Sequence, residues 1–477
     1  MTFNREQIKE KYNINKDLLP STEKERTWNK TNYATTWMGN VHNIPSYVTI
    51  GGFFVLGLSV NQVFWVIMIA GVIVALMLVL NGVSGAKYGI PFSVSLRTSY
   101  GVRGAIIPGF LRGVISAIMW FSLQTYAGSS AVTVLIGEFW PGYLNLGGDW
   151  SFFGLSLPGI ISFLLFWCFN VAFIFGGMDL IGKFQKVLSV LIYIVFIGMA
   201  IWAVYLAGGI GPILDYTPKG INGNTLLVLA GSIAAIVGTW AAPILSINDL
   251  TKKAKKPKDQ AIGQSIGLII TFLLFAIASI VIIVGSEIAF GTPIWNIVDV
   301  INRFDSKFAI AGAVLVICLS TISANLVGNV VPAGYQLVSL SQLFQKELHF
   351  KTGAIIAAII GLFLFPWKLM ENPTSIYAFL NFVGAILGPV TGIMLADYYI
   401  IRRRKINLNA LYEPKSDYFF RKGFNIRAII ITIISVIVTL IGAFVDVLEP
   451  LYNLSWFVGT GLAFILYIAF RPKRREA

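Results

Sequence analysis

Trp120 and Gln124 stand four residues apart in the run Trp120-Phe121-Ser122-Leu123-Gln124, the spacing that sets two side chains on one face of a helix. An indole stacks on a planar ring for about 0.5–1.5 kcal/mol. A glutamine amide both donates to and accepts from a ring N–H/C=O pair. Together they suit the edge of a ureide, a hydantoin or a pyrimidine, although an aromatic packing residue beside a glutamine bonded to a neighbouring helix has the same spacing. A second polar stripe lies in Ser320-Thr321-Ile322-Ser323-Ala324-Asn325-Leu326-Val327-Gly328-Asn329, where Asn325 and Asn329 are again four apart. Beside it, Ser320, Ser323 and Ala324 form a strip of small residues. Such a strip fits close helix approach, or oxygen ligation of a hard cation. Polar groups this deep in apolar sequence are costly without a task.

Two apolar segments are interrupted in related ways. Trp37-Met38-Gly39-Asn40-Val41-His42-Asn43-Ile44-Pro45 carries two amides, an imidazole and a proline, and Gly238-Thr239-Trp240-Ala241-Ala242-Pro243 repeats a glycine, a polar side chain and a proline. Broken backbone survives inside a membrane only where it is buried in protein or lines a wet cavity. The two segments read as equivalents in two five-helix repeats; a pair of ordinary proline kinks is the alternative. His42, one of 2 histidines, has the chemistry of a proton relay but reads better as a neutral, hydrogen-bonded structural residue. Arg112, about 12 Å of helical rise before Trp120, is expected to snorkel to the membrane interface, outside any site. Cys168 and Cys318 fall inside apolar blocks without metal-ligand spacing and read as small core residues.

The elements that must position these residues follow from composition. Of 477 residues 56% are hydrophobic and 12% charged, with mean hydropathy +0.76, against about 25% charged in soluble domains. The apolar residues form about twelve blocks of about 20 residues, centred near Thr49, Val72, Ala117, Leu165, Val195, Ala234, Phe275, Ile322, Ala358, Ala385, Ser435 and Gly461, each long enough to cross a hydrocarbon layer of ~30 Å. The fold class is therefore an all-α polytopic membrane protein. One transmembrane domain, 31–470, is expected between an N-terminal tail, 1–30, and a C-terminal tail, 471–477.

Lys and Arg fix the orientation, because cytoplasmic segments carry the positive excess. They crowd the first thirty residues, the even-numbered loops (Lys87 to Arg103, Lys183 and Lys186, Lys252 to Lys258, Lys346 and Lys351, Arg402 to Arg427) and the C-terminal Arg471, Lys473, Arg474 and Arg475. Both termini are expected in the cytoplasm of a cell with the chain in its inner membrane. The net charge of +14 sits in short clusters beside the spans, which speaks for anionic lipid and against nucleic acid. The polar first thirty residues lack the apolar core of a cleavable signal. The 402–427 loop is expected to lie along the cytoplasmic face with its aromatics at the interface. A membrane enzyme would need a metal cluster, paired carboxylates or an activated nucleophile, and the sequence offers no deep carboxylate pair. The partners it does suggest are the bilayer and a small planar nitrogen heterocycle or ureide, handled by a monomer without a cofactor.

The segment Trp37–Pro45, the run from Trp120 to Thr125, Gly238 to Trp240 with Ser246-Ile247-Asn248-Asp249, and Gly388-Pro389 leading to Asp397-Tyr398-Tyr399-Ile400-Ile401-Arg402-Arg403 resemble, in matching order, the nucleobase-cation-symport family. The resemblance runs from about Thr27 to Phe470 and is nearest to the bacterial allantoin permeases. It implies twelve helices, with two inverted five-helix repeats and two C-terminal helices, and alternating access around a midplane site. It implies import of allantoin or a related ureide or hydantoin by cation symport, with a uracil, cytosine or other nucleobase permease as the alternative. In that arrangement the substrate ring lies between Trp120 and Trp240, Gln124, Asn329 and Asn43 pair with its amide edges, Thr239 offers backbone contact, Asn325 supports them, and the stretch from Leu380 to Leu387 gates the outer side. The family's sodium ligands fall on the carbonyls of Gly39 and His42 and on Ser320, Ser323 and Ala324. The last departs from the family's threonine and removes a side-chain oxygen, which weakens the case for sodium and leaves a proton, or a weak dependence on sodium, as the coupling.

Overall fold

The structure is a computed structural model that describes residues 5–292, 294–413 and 416–471; the C-terminal Lys473, Arg474 and Arg475 and the side chains of Lys183 and Lys186 lie outside the described residues. Among the described residues, nine helices are long and apolar enough to cross a membrane. They include Val60–Tyr88 (second span), Ile106–Phe139 (third), Thr225–Ser246 (sixth), Pro257–Phe290 (seventh), Lys307–Leu343 (eighth) and Thr374–Ile401 (tenth). A bent pair, Asp446–Asn453 with Ser455–Ala469, supplies the twelfth span, and the shorter apolar helices Ile44–Val55 and Phe350–Gly361 belong to the first and ninth. These elements contain the twelve block centres read from the sequence. The described residues hold one small sheet, the hairpin of Ser151–Phe152 with Leu155–Ser156 between the third and fourth spans.

The first span is broken. Its first half, Lys30–Asn40, begins at Asn29, whose side chain accepts from the N–H groups of Thr31 and Asn32. It stops before a non-helical Val41-His42-Asn43, and Asn43 then caps the second half by accepting from Ser46 N at 3.1 Å. The sixth span corrects the parallel drawn from sequence, because Thr225–Ser246 is helical straight through Gly238 and Pro243. Its interruption is a missing donor: Pro243 has no N–H to give the carbonyl of Thr239, four residues earlier. Three spans carry a π-helical turn instead, at Leu111–Ser116, Leu326–Val330 and Ala396–Ile401. Such turns often mark functional positions, since one inserted residue re-aims side chains and frees carbonyls.

Spans six and ten pack on one another, as do three with eight and seven with one and two. The N-terminal segment is strapped across the loops at the same end of the bundle. Ser21 N donates to Gly89 O at 2.8 Å, Trp28 N to Lys253 O at 2.9 Å, and Tyr412 Oη to Leu18 O at 2.8 Å. Segments expected on one face thus meet on one face. Two aromatics of the 402–427 loop turn inward, while Phe419, Phe420 and Phe424 are half-buried. Tyr412 and Tyr418 are buried, the guanidinium of Arg97 stands over the first ring and that of Arg402 over the second. Cation–π attraction, together with backbone hydrogen bonds, draws them inward.

Candidate functional site

A cavity of about 680 Å³, counting its open mouth, lies where the first, third, sixth and eighth spans meet. Of the residues expected to bind a ring, Trp120, Gln124, Trp240, Thr239, Asn329 and Asn43 all line it. The two indoles are held by neighbours and not by each other. Trp120 meets Phe379 of the tenth span edge-on at 4.9 Å, and Trp240 meets Trp37 edge-on at 5.4 Å. T-shaped contacts of this kind fix the orientation of a ring.

The amides differ in what they can offer. Gln124 Oε1 is buried without a hydrogen-bond partner among the described residues, an unmet acceptor on a residue that lines the cavity. Asn329 Nδ2 donates to Asn325 Oδ1 at 2.9 Å, and Asn325 Nδ2 lies 3.0 Å from Asn170 Oδ1 and 3.2 Å from the Phe121 carbonyl. Asn325 is fully buried and does not line the cavity, which suits the supporting role. Asn43 is more committed than expected. Besides capping the helix that follows, its Nδ2 donates to Asn40 O at 2.7 Å. The Thr239 hydroxyl is likewise spent on Ala235 O at 3.1 Å, so this residue has its proline-freed carbonyl left to offer.

The small-residue strip meets the broken first span. The Ser320 hydroxyl lies 3.2 Å from Gly39 O and also contacts His42 O, and the Ser323 hydroxyl donates to Asn40 Oδ1 at 3.1 Å. A hard cation draws on oxygen ligands, yet here the hydroxyls already engage the carbonyls and the amide, and Ala324 presents a methyl group. The set is brought together, with Ala324 adding no side-chain oxygen to it. His42 departs from expectation too. Its ring is enclosed by Tyr193, Phe196 and Phe275, and neither nitrogen has a hydrogen-bond partner among the described residues.

Helix ten packs against the sixth span beside the cavity without lining it. Tyr377 Oη donates to Thr49 O at 3.0 Å, and the Leu380 carbonyl comes so near Gly238 that a Cβ there would stand 3.1 Å from it. No residue from Leu380 to Leu387 lines the cavity; the ring that meets Trp120 is Phe379, one position before the expected gate.

Sequence reasoning missed several liners: Trp37, Asn40, Ser46, Arg112 and Asp249. Arg112 is the largest departure. It is fully buried rather than snorkelling, with Nε donating to Ala242 O at 2.7 Å and to Ser246 Oγ at 3.0 Å, and Nη2 donating to Gly328 O. The π turn that holds Arg112 sends its guanidinium across to the π turn that holds Gly328 and Asn329. No residue spacing in the sequence announces such a turn.

Residues 20–459 match the family described as "Permease for cytosine/purines, uracil, thiamine, allantoin". The chain is 50% identical over 466 residues to a protein of Escherichia coli (strain K12) named as a candidate allantoin permease, covering 97% of this chain and 95% of that one. It is 44% identical over 455 residues to the allantoin permease of Bacillus subtilis (strain 168), covering 95% and 92%. Among solved structures, Mhp1, a nucleobase-cation-symport-1 family transporter in a closed conformation with bromovinylhydantoin bound, superposes with a TM-score of 0.77 at 24% identity over 96% of this chain and 94% of that one. That similarity bears on the fold: a twelve-helix transporter with repeat architecture.

Proposed function

Because the chain belongs to the family of permeases for cytosine/purines, uracil, thiamine and allantoin, we propose that it imports allantoin, or a closely related ureide or hydantoin, by cation symport with alternating access. One observation carries the reading: two indoles and the unmet Gln124 acceptor line the same cavity with Asn329. The indoles cover the faces of a flat ring, and the amides read its alternating C=O and N–H edge. The names of the relatives in Escherichia coli and Bacillus subtilis support the choice of ureide over pyrimidine.

The coupling ion is a proton, or sodium bound weakly, since Ala324 supplies no side-chain oxygen to the strip that Ser320 and Ser323 form. The chain lies in an inner membrane with both termini cytoplasmic, supported by the lysines and arginines at the end of the bundle where the N-terminal strap binds. In this orientation the cavity extends toward the cytoplasm. Reconstituted protein should take up labelled allantoin under an imposed proton gradient, with competition from hydantoin and weaker competition from uracil. Uptake of uracil in preference to allantoin would establish the nucleobase alternative, and uptake driven by sodium alone would reverse the choice of ion.

A further inference from the structure

The inner end of the cavity holds two buried charged groups that the ring site does not use. Arg112 is fully buried and Asp249 is 2% exposed, and both line the cavity. Each has one committed side and one idle side. Arg112 spends Nε and Nη2 on the carbonyls of Ala242 and Gly328, while Nη1 has no hydrogen-bond partner among the described residues. Asp249 accepts from the Phe92 N–H through Oδ1 at 2.8 Å, while Oδ2 has no partner among them. The two do not form an ion pair among the described residues, so an idle donor and an idle acceptor remain, each on a residue that lines the cavity. Lys252, the other cation near this carboxylate, has its ammonium 3.9 Å from the centre of the Tyr335 ring.

Leaving a buried donor or acceptor unpaired costs free energy, and a charged one costs more. A fixed N–H donor and a fixed carboxylate acceptor, in one cavity, complement a group that carries a carbonyl and an N–H a short distance apart. The guanidinium is close to the ring site, because its partner carbonyls belong to residues two after Trp240 and one before Asn329.

We propose that this inner end is a subsite for the ureido arm of the substrate, with Arg112 Nη1 donating to the arm's carbonyl and Asp249 Oδ2 accepting from its N–H. The subsite rests on the ring reading given above and adds its selectivity. A bare hydantoin ring satisfies the indoles and Gln124 alone, whereas allantoin, the same ring with a ureido substituent, also satisfies the two idle charges.

The test is equilibrium binding of allantoin and hydantoin to purified full-length protein, wild type and Asp249→Asn. Asparagine keeps an oxygen for the Phe92 N–H and turns the idle acceptor into a donor. The wild type should bind allantoin at least tenfold more tightly than hydantoin, and Asp249→Asn should lose that margin while its hydantoin affinity stays within twofold. Equal wild-type affinity for the two ligands overturns the subsite and leaves the ring site standing, and this arm does not depend on the variant folding. A loss shared equally by both ligands in Asp249→Asn, or no loss for allantoin, also overturns it. A wild type that binds neither ligand overturns the ring reading and the subsite together.

Discussion

Replacing Trp120 by alanine tests the ring site most directly. The indole is 4% exposed and in T-shaped contact with Phe379, so its orientation is fixed and its loss is not made good by a neighbouring side chain swinging in. Stacking on a planar ligand contributes about 0.5–1.5 kcal/mol. Uncovering about 50 Å² of ligand ring at about 25 cal/mol per Å² adds about 1.3 kcal/mol. The sum, about 1.8–2.8 kcal/mol, corresponds to a Kd for allantoin raised about 20- to 100-fold. Trp120→Phe keeps a smaller aromatic face and should lose less than tenfold. The assay is equilibrium binding to purified protein, paired with uptake at matched membrane levels so that poor insertion is not mistaken for poor binding. Phe379→Ala is the internal control. It removes the edge contact and leaves the indole face, so it should slow uptake more than it weakens binding. A Kd for Trp120→Ala within threefold of wild type would refute the reasoning, because a ring face that a ligand covers cannot be removed at so small a cost.

Three other outcomes follow from particular contacts. Gly238→Val should abolish uptake at normal membrane levels and Gly238→Ala should reduce it severalfold, because the Leu380 carbonyl already stands 3.1 Å from the position a Cβ takes; uptake unchanged in the valine variant would count against close apposition of spans six and ten. Ala324→Thr restores a hydroxyl to the small-residue strip and should make uptake respond to sodium, read as the ratio of uptake with and without the ion; indifference to sodium before and after the change would mean that no metal site operates there. The third concerns pH. Burial pushes the Asp249 carboxyl up to about 6, with the Phe92 N–H, Lys252 and Arg112 opposing the shift. A folded-state value above the unfolded one of about 3.9 means that its contribution to stability is full below about pH 4 and is lost as pH rises through about 6. The melting temperature of Asp249→Asn relative to wild type should therefore climb from pH 4 to pH 7, and a difference that is flat with pH would show that the carboxylate is not perturbed.

Much of the fold was legible because a membrane leaves few solutions. A block of about 20 apolar residues has to be a helix, and the lysines and arginines of the loops mark one face. That Trp120, Gln124 and Asn329 line one cavity, with Asn325 behind them, was legible for a related reason: they are polar or amphipathic groups at helical spacing in otherwise apolar sequence. What could not be read depends on backbone geometry that residue types do not encode. Pro243 looked like a break, yet the helix passes through it and surrenders a single hydrogen bond. Asn43 looked like a free amide, yet the unwound turn before it uses both ends of the side chain for capping. Phe379 was passed over because its importance comes from the Trp120 edge it meets across two spans.

Arg112 shows how such a reading goes wrong and what the error reveals. An arginine near the end of a span ordinarily extends toward water, since its long apolar stem lets the charge escape. Here it turns inward, against the cost of burying a charge, because the inside offers what the outside does not: backbone carbonyls released by irregular helix. The π turn at Leu326–Val330 places the Gly328 carbonyl within reach of the guanidinium, and the end of the sixth span presents the Ala242 carbonyl beside Ser246 Oγ. A guanidinium has five donors in a rigid plane, so three of these contacts fix its orientation and a remaining donor is aimed by that plane rather than by a partner. The arginine thus ties the third span to the sixth and eighth, and it carries a preset N–H to the cavity wall. Arg112→Lys tests the two roles separately. One ammonium cannot hold both carbonyls in the plane, so the variant should melt at a lower temperature, and its allantoin affinity should fall at least tenfold while hydantoin affinity changes less. A variant that loses stability with the two affinities falling in parallel would mean that Arg112 is a strut and nothing more.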